Sequence, residues 1–91
     1  DGVVYMLYGL YLSRIDAHEH ALVQYQYAEH LLPESAEVAY NMGLLFVETK
    51  DYESARKYAE KAYRLGYPLP GLRRKLQRAG EWSGGQTASE R

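Results

Sequence analysis

The segment His18-Glu19-His20 is where this 91-residue chain comes nearest to a metal-binding pattern. Imidazole nitrogens and carboxylate oxygens bind zinc, but histidine pairs on one helix usually do so at a spacing of four residues. At a spacing of two, His18 and His20 point about 200° apart around a helix. The sequence has no cysteine to complete a site, and His30 lies well further along the chain. We therefore predict no metal site and no cofactor.

Two glutamates, Glu19 and Glu53, recur 34 residues apart, each at the expected start of a helix. An acid at that position interacts favourably with the helix dipole, which favours a structural role over a catalytic one. The sequence also lacks a Gly-x-Ser-x-Gly segment and a phosphate-binding glycine loop. We expect no catalytic residue and a protein that is not an enzyme.

A basic cluster near the C-terminal end is the third candidate site; it comprises Arg73, Arg74, Lys75 and Arg78. Residues 64–91 carry six basic and two acidic residues, a net charge of +4, whereas residues 1–35 carry one arginine and five acidic residues, a net charge of −4. Such a cluster could bind nucleic acid or acidic lipid, but aromatic residues do not alternate with it, and the pI is about 6.3. We predict a solvated helix face and no nucleic-acid binding. The alternative is contact with an acidic partner or with the acidic first part of another copy.

The chain repeats itself with a period of 34 residues. Most of the identical positions hold small or apolar residues, which indicates that packing requires them. The identical pairs are Val4/Val38, Gly9/Gly43, Leu10/Leu44, Glu19/Glu53, Ala21/Ala55, Ala28/Ala62 and Leu31/Leu65.

Each period divides into two helices. The apolar pattern and its interruptions predict helices over residues 3–15, 17–31, 36–48 and 51–65. Ser35 and Asp51 are expected to be N-caps, and Gly66 is expected to end the fourth helix in the left-handed conformation. A further amphipathic helix is predicted over residues 69–80, with leucines on one face.

The repeat resembles the tetratricopeptide repeat (TPR), a family of 34-residue helix–turn–helix units. Its signature is matched by Tyr8, Gly9, Leu12, Ala21, Tyr25, Ala28 and Pro33 in the first unit and by Met42, Gly43, Phe46, Ala55, Ala59 and Ala62 in the second. The departures are Ala39 and Ala59, which replace aromatic residues of the pattern, and Pro68, which comes one position late.

The resemblance implies an all-α fold of antiparallel helix–turn–helix repeats, a right-handed TPR-type solenoid of about five helices. We assign residues 2–35 to unit 1, 36–69 to unit 2, 70–80 to a capping helix and 81–91 to a disordered tail. Trp82 is expected to fold back on the cap. Gly9 and Gly43 are expected where the first helix of each unit crosses the second, opposite Ala21 and Ala55, because a larger side chain would separate the helices there.

In TPR proteins the first helices line a concave groove that holds peptides. Mapped onto this chain, the groove residues are Val3, Met6, Leu10, Ser13, Glu37, Tyr40, Asn41, Leu44, Val47 and Lys75. Asn41 and Lys75 match parts of the clamp with which some members bind a terminal carboxylate, but Met6 and Leu10 replace its other polar residues. The resemblance therefore implies an apolar, tyrosine-edged groove without that clamp.

The expected function is non-catalytic binding of a protein or peptide partner through this concave face. Two alternatives remain open: a structural segment of a longer repeat array with no ligand of its own, and self-association through the first helix into a homo-oligomer. A remote alternative is contact of the basic helix with nucleic acid or acidic lipid. No run of residues is apolar enough to predict a membrane span. The partner and the compartment, cytoplasm or periplasm, stay open.

Overall fold

Two helical hairpins followed by a single helix form the part of the chain that the structure describes, residues 1–83 of a computed structural model. Residues 84–91, which hold most of the predicted tail, lie outside the described residues. The described part is all-α and contains no strand, which confirms the predicted all-α class and the number of helices. The helices are α1 Gly2–Arg14, α2 His18–Leu31, α3 Ala36–Glu48, α4 Tyr52–Arg64 and α5 Gly71–Arg78.

The turn inside each hairpin has the same geometry in both repeats. Asp16 and Lys50, which are 34 residues apart, both have positive φ angles, +62° and +64°. The N–H of the next residue then reaches back to the helix that has just ended, from Ala17 to the Leu12 oxygen and from Asp51 to the Phe46 oxygen, 2.9 Å in both cases. These bonds satisfy carbonyl groups that the helix end leaves free. The 34-residue period is therefore a period of backbone conformation as well as of sequence.

The starts of α1 and α3 follow the same period, whereas α2 has Ala17 at its N-cap position without a side-chain cap and its equivalent α4 has one. The Asp1 carboxylate accepts from the Val4 N–H at 3.0 Å, and the Ser35 hydroxyl accepts from the Val38 N–H at 3.2 Å. The Asp51 carboxylate caps α4 at 3.2 Å. The predicted capping roles of Ser35 and Asp51 are confirmed, as is the left-handed Gly66, whose φ is +98°.

Two hydrophobic clusters hold the helices together. The first lies between the hairpins and joins residues of α1 and α2 to Val38, Met42 and Leu45 of α3. The second joins α3 and α4 to Leu72 and Leu76 of α5, both of which are fully buried. Among the signature residues, Tyr8 and Pro33 are exposed and Phe46 is half-buried; those that are buried are Gly9, Leu12, Ala21, Tyr25, Ala28, Met42, Gly43, Ala55, Ala59 and Ala62.

The two mid-helix glycines make room for different neighbours. A Cβ at Gly9 would lie 2.7 Å from the ring of Tyr25 in α2, so this glycine does serve the crossing of α1 and α2. A Cβ at Gly43 would lie 2.5 Å from Cδ2 of Leu72 in α5 and 3.6 Å from the nearest backbone atoms of α4. Gly43 therefore allows the approach of the following helix more than the crossing within its own hairpin.

The joint between the hairpins also contains a polar cluster. The Tyr58 hydroxyl lies 3.0 and 3.1 Å from the two carboxylate oxygens of Glu29, and Lys61 Nζ lies 3.2 Å from one of them. Burial and the neighbouring Glu29 carboxylate together raise the pKa of Tyr58 to about 12. This cluster links α2 to α4 and adds directional bonds to the apolar packing between hairpins.

Helix α5 has tyrosine hydroxyls in place of an ordinary N-cap. Pro70 stands at its N-cap position and has no side chain that could accept a bond. The Tyr40 hydroxyl instead accepts from the Leu72 N–H at 3.2 Å, and the Tyr63 hydroxyl accepts from the Arg73 N–H at 3.1 Å. Tyr40 also stacks on Tyr67, with ring centres 3.8 Å apart. Two helices that precede α5 therefore fix where it begins.

The chain after α5 returns to the second hairpin. The Trp82 ring meets the Tyr63 ring edge-on, with centres 6.4 Å apart, and Glu81 pairs with Arg56 of α4. Trp82 is half-buried against the second cluster, which includes residues of α4 and α5. Its ring therefore packs on α4 as well as on the capping side of the hairpin.

Candidate protein-interaction surface

The histidine segment lies at the turn between α1 and α2. His18 Nε2 is 3.8 Å from an Asp16 carboxylate oxygen, while Glu19 and His20 are exposed. Within residues 1–83, no three histidine, cysteine or acidic side chains are grouped so that they could hold a metal ion. The segment therefore has the arrangement of a solvent-facing helix start.

The predicted groove residues do not form one open apolar surface. Tyr40 is only 8% exposed, and its hydroxyl accepts a hydrogen bond from the Leu72 N–H at the start of α5, so little of this side chain is open to a partner. Leu44 and Val47 are half-buried against the second cluster. Met6 packs half-buried against the first cluster, and Leu10 and Ser13 are also partly covered.

The polar members of the predicted groove are engaged locally or are solvated. Asn41 Nδ2 donates to the Glu37 carbonyl oxygen, one turn earlier in the same helix, at 3.1 Å. Glu37 and Lys75 are exposed. A terminal-carboxylate clamp would need several donors that converge on one point, and the Asn41 amide is directed at its own helix.

A different surface carries the exposed apolar side chains of the first hairpin. We name it the N-terminal face: Val4, Tyr8 and Tyr11 along α1, Ile15 directly after its end, and Tyr27 and Leu31 on α2. The spacings 4 and 3 place the three α1 residues in one stripe, and Ile15 continues it at the C-cap. The rings of Tyr8 and Tyr11 stack with centres 6.4 Å apart, and Tyr27 meets Tyr5 at 5.3 Å across the hairpin. The aromatic side chains of this face are thus held by neighbouring rings.

The repeat shows what this surface corresponds to. Val4, Tyr8 and Tyr11 are 60%, 50% and 57% exposed, whereas the residues 34 positions later, Val38, Met42 and Leu45, are 1%, 1% and 3% exposed. The later three are buried because the first hairpin packs on them. Val4, Tyr8 and Tyr11, the central part of the N-terminal face, are therefore the equivalent of a packing surface, and within residues 1–83 no other part of the chain covers them.

The end of the molecule formed by α5 is covered and basic rather than uncovered and apolar. Helix α5 buries Leu72 and Leu76 against the second hairpin and turns Arg74, Lys75 and Arg78 to solvent. Arg73 lies over the Tyr63 ring, 5.4 Å from its centre. One end of the molecule is thus apolar and uncovered, and the other is closed by a helix with a basic outer surface.

The sequence prediction missed the N-terminal face, although the signal was present. It placed Val3, Met6 and Leu10 as the uncovered side of the first helix. Val3 is 49% exposed, but Met6 and Leu10 are half-buried, and the longer exposed stripe runs through Val4 and Tyr8. The pairing of Val4 with Val38 at the 34-residue period already indicated a packing position. What could not be read from the pattern was that the position is covered in one repeat and uncovered in the other.

No helix within residues 1–83 has the length and apolar character needed to cross a membrane. No protein-family model, curated protein or solved structure matches this chain.

Proposed function

We propose that this chain is a non-catalytic protein-interaction module built of TPR-type helical repeats, and that its first hairpin contacts the partner through the N-terminal face. The single observation behind the proposal is the contrast between this face and its buried equivalent in the second repeat. A contiguous patch of large apolar side chains on a protein surface is typical of an interaction site. The rings fixed by Tyr–Tyr contacts reduce the entropy lost when a partner binds.

A groove-bound peptide is a second candidate, favoured by one observation. Val3 and Leu7 are also about half exposed, and with the half-buried Leu10 they form an apolar strip beside the N-terminal face, on the side of the predicted groove. An extended peptide could lie along this strip. The replacement Leu7→Asp tests it, because Leu7 is exposed and its loss should not weaken the core.

Site-specific photo-cross-linking in the cells that make the protein tests the proposed function. A photoreactive phenylalanine analogue replaces Tyr8 in one version and Val23 in a control version. Val23 is an exposed residue of the same hairpin, and its equivalent in the second repeat, Lys57, is exposed as well. We expect a protein adduct from position 8 and none from position 23.

Mass spectrometry of the adduct then identifies the protein attached. Absence of any adduct at position 8, or equal adducts at both positions, would overturn the proposed contact surface. An adduct at position 8 supports the proposal whether the attached protein is a second copy or a different chain.

A further inference from the structure

We infer that the occupant of the N-terminal face is the same face of a second copy, related by a two-fold axis, so that the chain forms a closed dimer. This inference rests on the proposed function and names its partner. In a two-fold contact the same patch serves both partners, so the assembly stops at two.

The closed end of the molecule argues for this arrangement. Inside the chain, α3 buries its apolar stripe against the preceding hairpin. In a head-to-tail contact, the N-terminal face of one copy would pack on the last hairpin of another. That surface of the last hairpin is already covered by Leu72 and Leu76 of α5. The exposed outer side of α5 presents charged residues such as Arg74 and Arg78, a poor match for valine and tyrosine. Within residues 1–83, the apolar surface that the first hairpin of a copy has free is its own N-terminal face, with Val3 and Leu7 beside it.

The chemistry of the face also suits contact with itself. Its six residues include no Asp, Glu, Lys or Arg, so the face itself brings no formal charge to the contact. Contact between two copies of the face therefore brings no like charges together, and such a pairing would be unfavourable. Three of the six are tyrosines, a residue enriched in the cores of interfaces.

The area is close to what a stable dimer requires. Six large apolar residues about half exposed offer roughly 450–700 Å² on each copy, since a fully exposed aromatic side chain has about 150–250 Å² and three of the six are smaller aliphatic residues. Specific interfaces bury about 600–1,000 Å² per partner. The face thus reaches the lower end of that range, and the exposed Val3 and Leu7 beside it extend the apolar area.

The charges around the face predict how salt acts. Residues 1–35 have a net charge of −4, so two copies that meet through this hairpin repel each other outside the apolar contact. Salt screens such repulsion over about 10 Å at 0.1 M. We therefore expect dimerisation to strengthen as salt rises. A head-to-tail contact between the acidic first hairpin and the basic α5 would weaken instead, and it would produce masses above the dimer.

Sedimentation equilibrium of the purified full chain over a concentration series tests the inference. We expect a monomer–dimer equilibrium whose Kd rises roughly tenfold or more in Tyr8→Glu and in Tyr11→Glu, since buried tyrosines often dominate interfaces. The control Val23→Glu places the same charge on α2 outside the face and should leave the Kd unchanged. Circular dichroism establishes that each variant is folded.

A cysteine scan separates the two-fold contact from other contacts. The chain has no cysteine, so single cysteines at positions 4, 8, 11 and 15 can form a disulfide only with another copy. Near a two-fold axis a residue meets its own counterpart, and we expect at least one of these variants to oxidise to a covalent dimer. Cysteine at position 23 should stay monomeric under the same conditions.

Three results would overturn the inference. They are a monomer at all concentrations, larger assemblies that dissociate with salt, and a dimer that is insensitive to substitution at positions 8 and 11. If the purified chain is monomeric while position 8 cross-links to a different protein in cells, the proposed function stands and the second copy is excluded as the partner.

Discussion

At the scale of single residues, Gly43 shows how one position can serve a neighbour far along the sequence. A side chain there would collide first with the fully buried Leu72, whereas the backbone of α4 is at ordinary contact distance. Gly43→Leu should therefore destabilise the fold by about 2–4 kcal/mol through overpacking. Chemical denaturation measures this loss.

The identity of the obstructing side chain is tested in a double-mutant cycle. Leu72→Ala alone should cost about 2–5 kcal/mol because it leaves a cavity. In the Leu72→Ala background, Gly43→Leu should cost at least about 1 kcal/mol less than in the original chain. Additive losses would show that the α4 backbone is the obstruction. Lys57→Leu, at an exposed position of α4, is the control and should change stability by less than about 0.5 kcal/mol.

Tyr58 is the residue for which the structure predicts a pH dependence. Its pKa is raised to about 12 by burial and by Glu29, while an unfolded tyrosine titrates near 10. The folded state therefore holds the proton more tightly, and this contribution to stability is complete below pH 10 and is lost as the pH rises from 10 through about 12. Burial also raises the pKa values of Tyr25, Tyr63 and Tyr67. Deprotonation of these tyrosines therefore also lowers the stability of the folded state at high pH.

The variant Tyr58→Phe isolates this contribution. At pH 7 it should lose about 1–2 kcal/mol, because the Glu29 carboxylate loses a donor. Between pH 10 and 12 its stability should fall less steeply than that of the original chain. Tyr52→Phe, a half-buried residue of the same helix, is the control and should retain the original slope. Parallel pH curves for Tyr58→Phe and the original chain would contradict the assigned role of the hydroxyl.

At the scale of elements, the turn between paired helices sets the geometry of each hairpin. Asp16 and Lys50 occupy the left-handed region, which costs a residue with a side chain roughly 1 kcal/mol. Lys50→Gly should therefore stabilise the chain by about 0.5–1 kcal/mol. The same replacement at Lys57, in the middle of α4, should destabilise it by about 1 kcal/mol. Thermal unfolding of the two variants should give shifts of opposite sign, and two losses would refute the strain assigned to the turn.

The position of helix α5 on the second hairpin depends on aromatic residues outside it. Tyr40 and Tyr63 supply the acceptors that Pro70 cannot, and Trp82 closes over Tyr63. The predicted role of α5 as a capping helix requires a polar outer surface, because repeat arrays need such a terminal element. The basic residues on the exposed side of α5 agree with that prediction.

At the scale of the whole molecule, the two ends differ in what they can contact. The described part measures 42 × 24 × 18 Å, with the uncovered apolar face at the first hairpin and the basic cap at α5. If the first hairpin dimerises, dissociation is coupled to unfolding and the Tm should rise with protein concentration. We expect a rise of roughly 3–5 °C for each tenfold increase in concentration, measured by calorimetry. In Tyr8→Glu the rise should be smaller over the same concentrations because its dimer is weaker, and a flat response of both chains would count against the dimer.

Local patterns in the sequence determined the elements of this protein. The period of 34 residues, the caps at Ser35 and Asp51 and the terminator Gly66 predicted α3 at its observed bounds and the other helices to within about two residues, because capping and backbone conformation depend on near neighbours.

Burial, in contrast, was decided by the tertiary structure. Leu72 beside Gly43, the occupied hydroxyl of Tyr40 and the uncovered Tyr8 all follow from which helices lie next to one another. Val4 and Val38 are identical in type and equivalent in register, yet one is exposed and the other buried, because a hairpin precedes only the second of them within the described residues. The residue type determines which kinds of surface a side chain can pack against. Whether such a surface lies next to it depends on the tertiary fold.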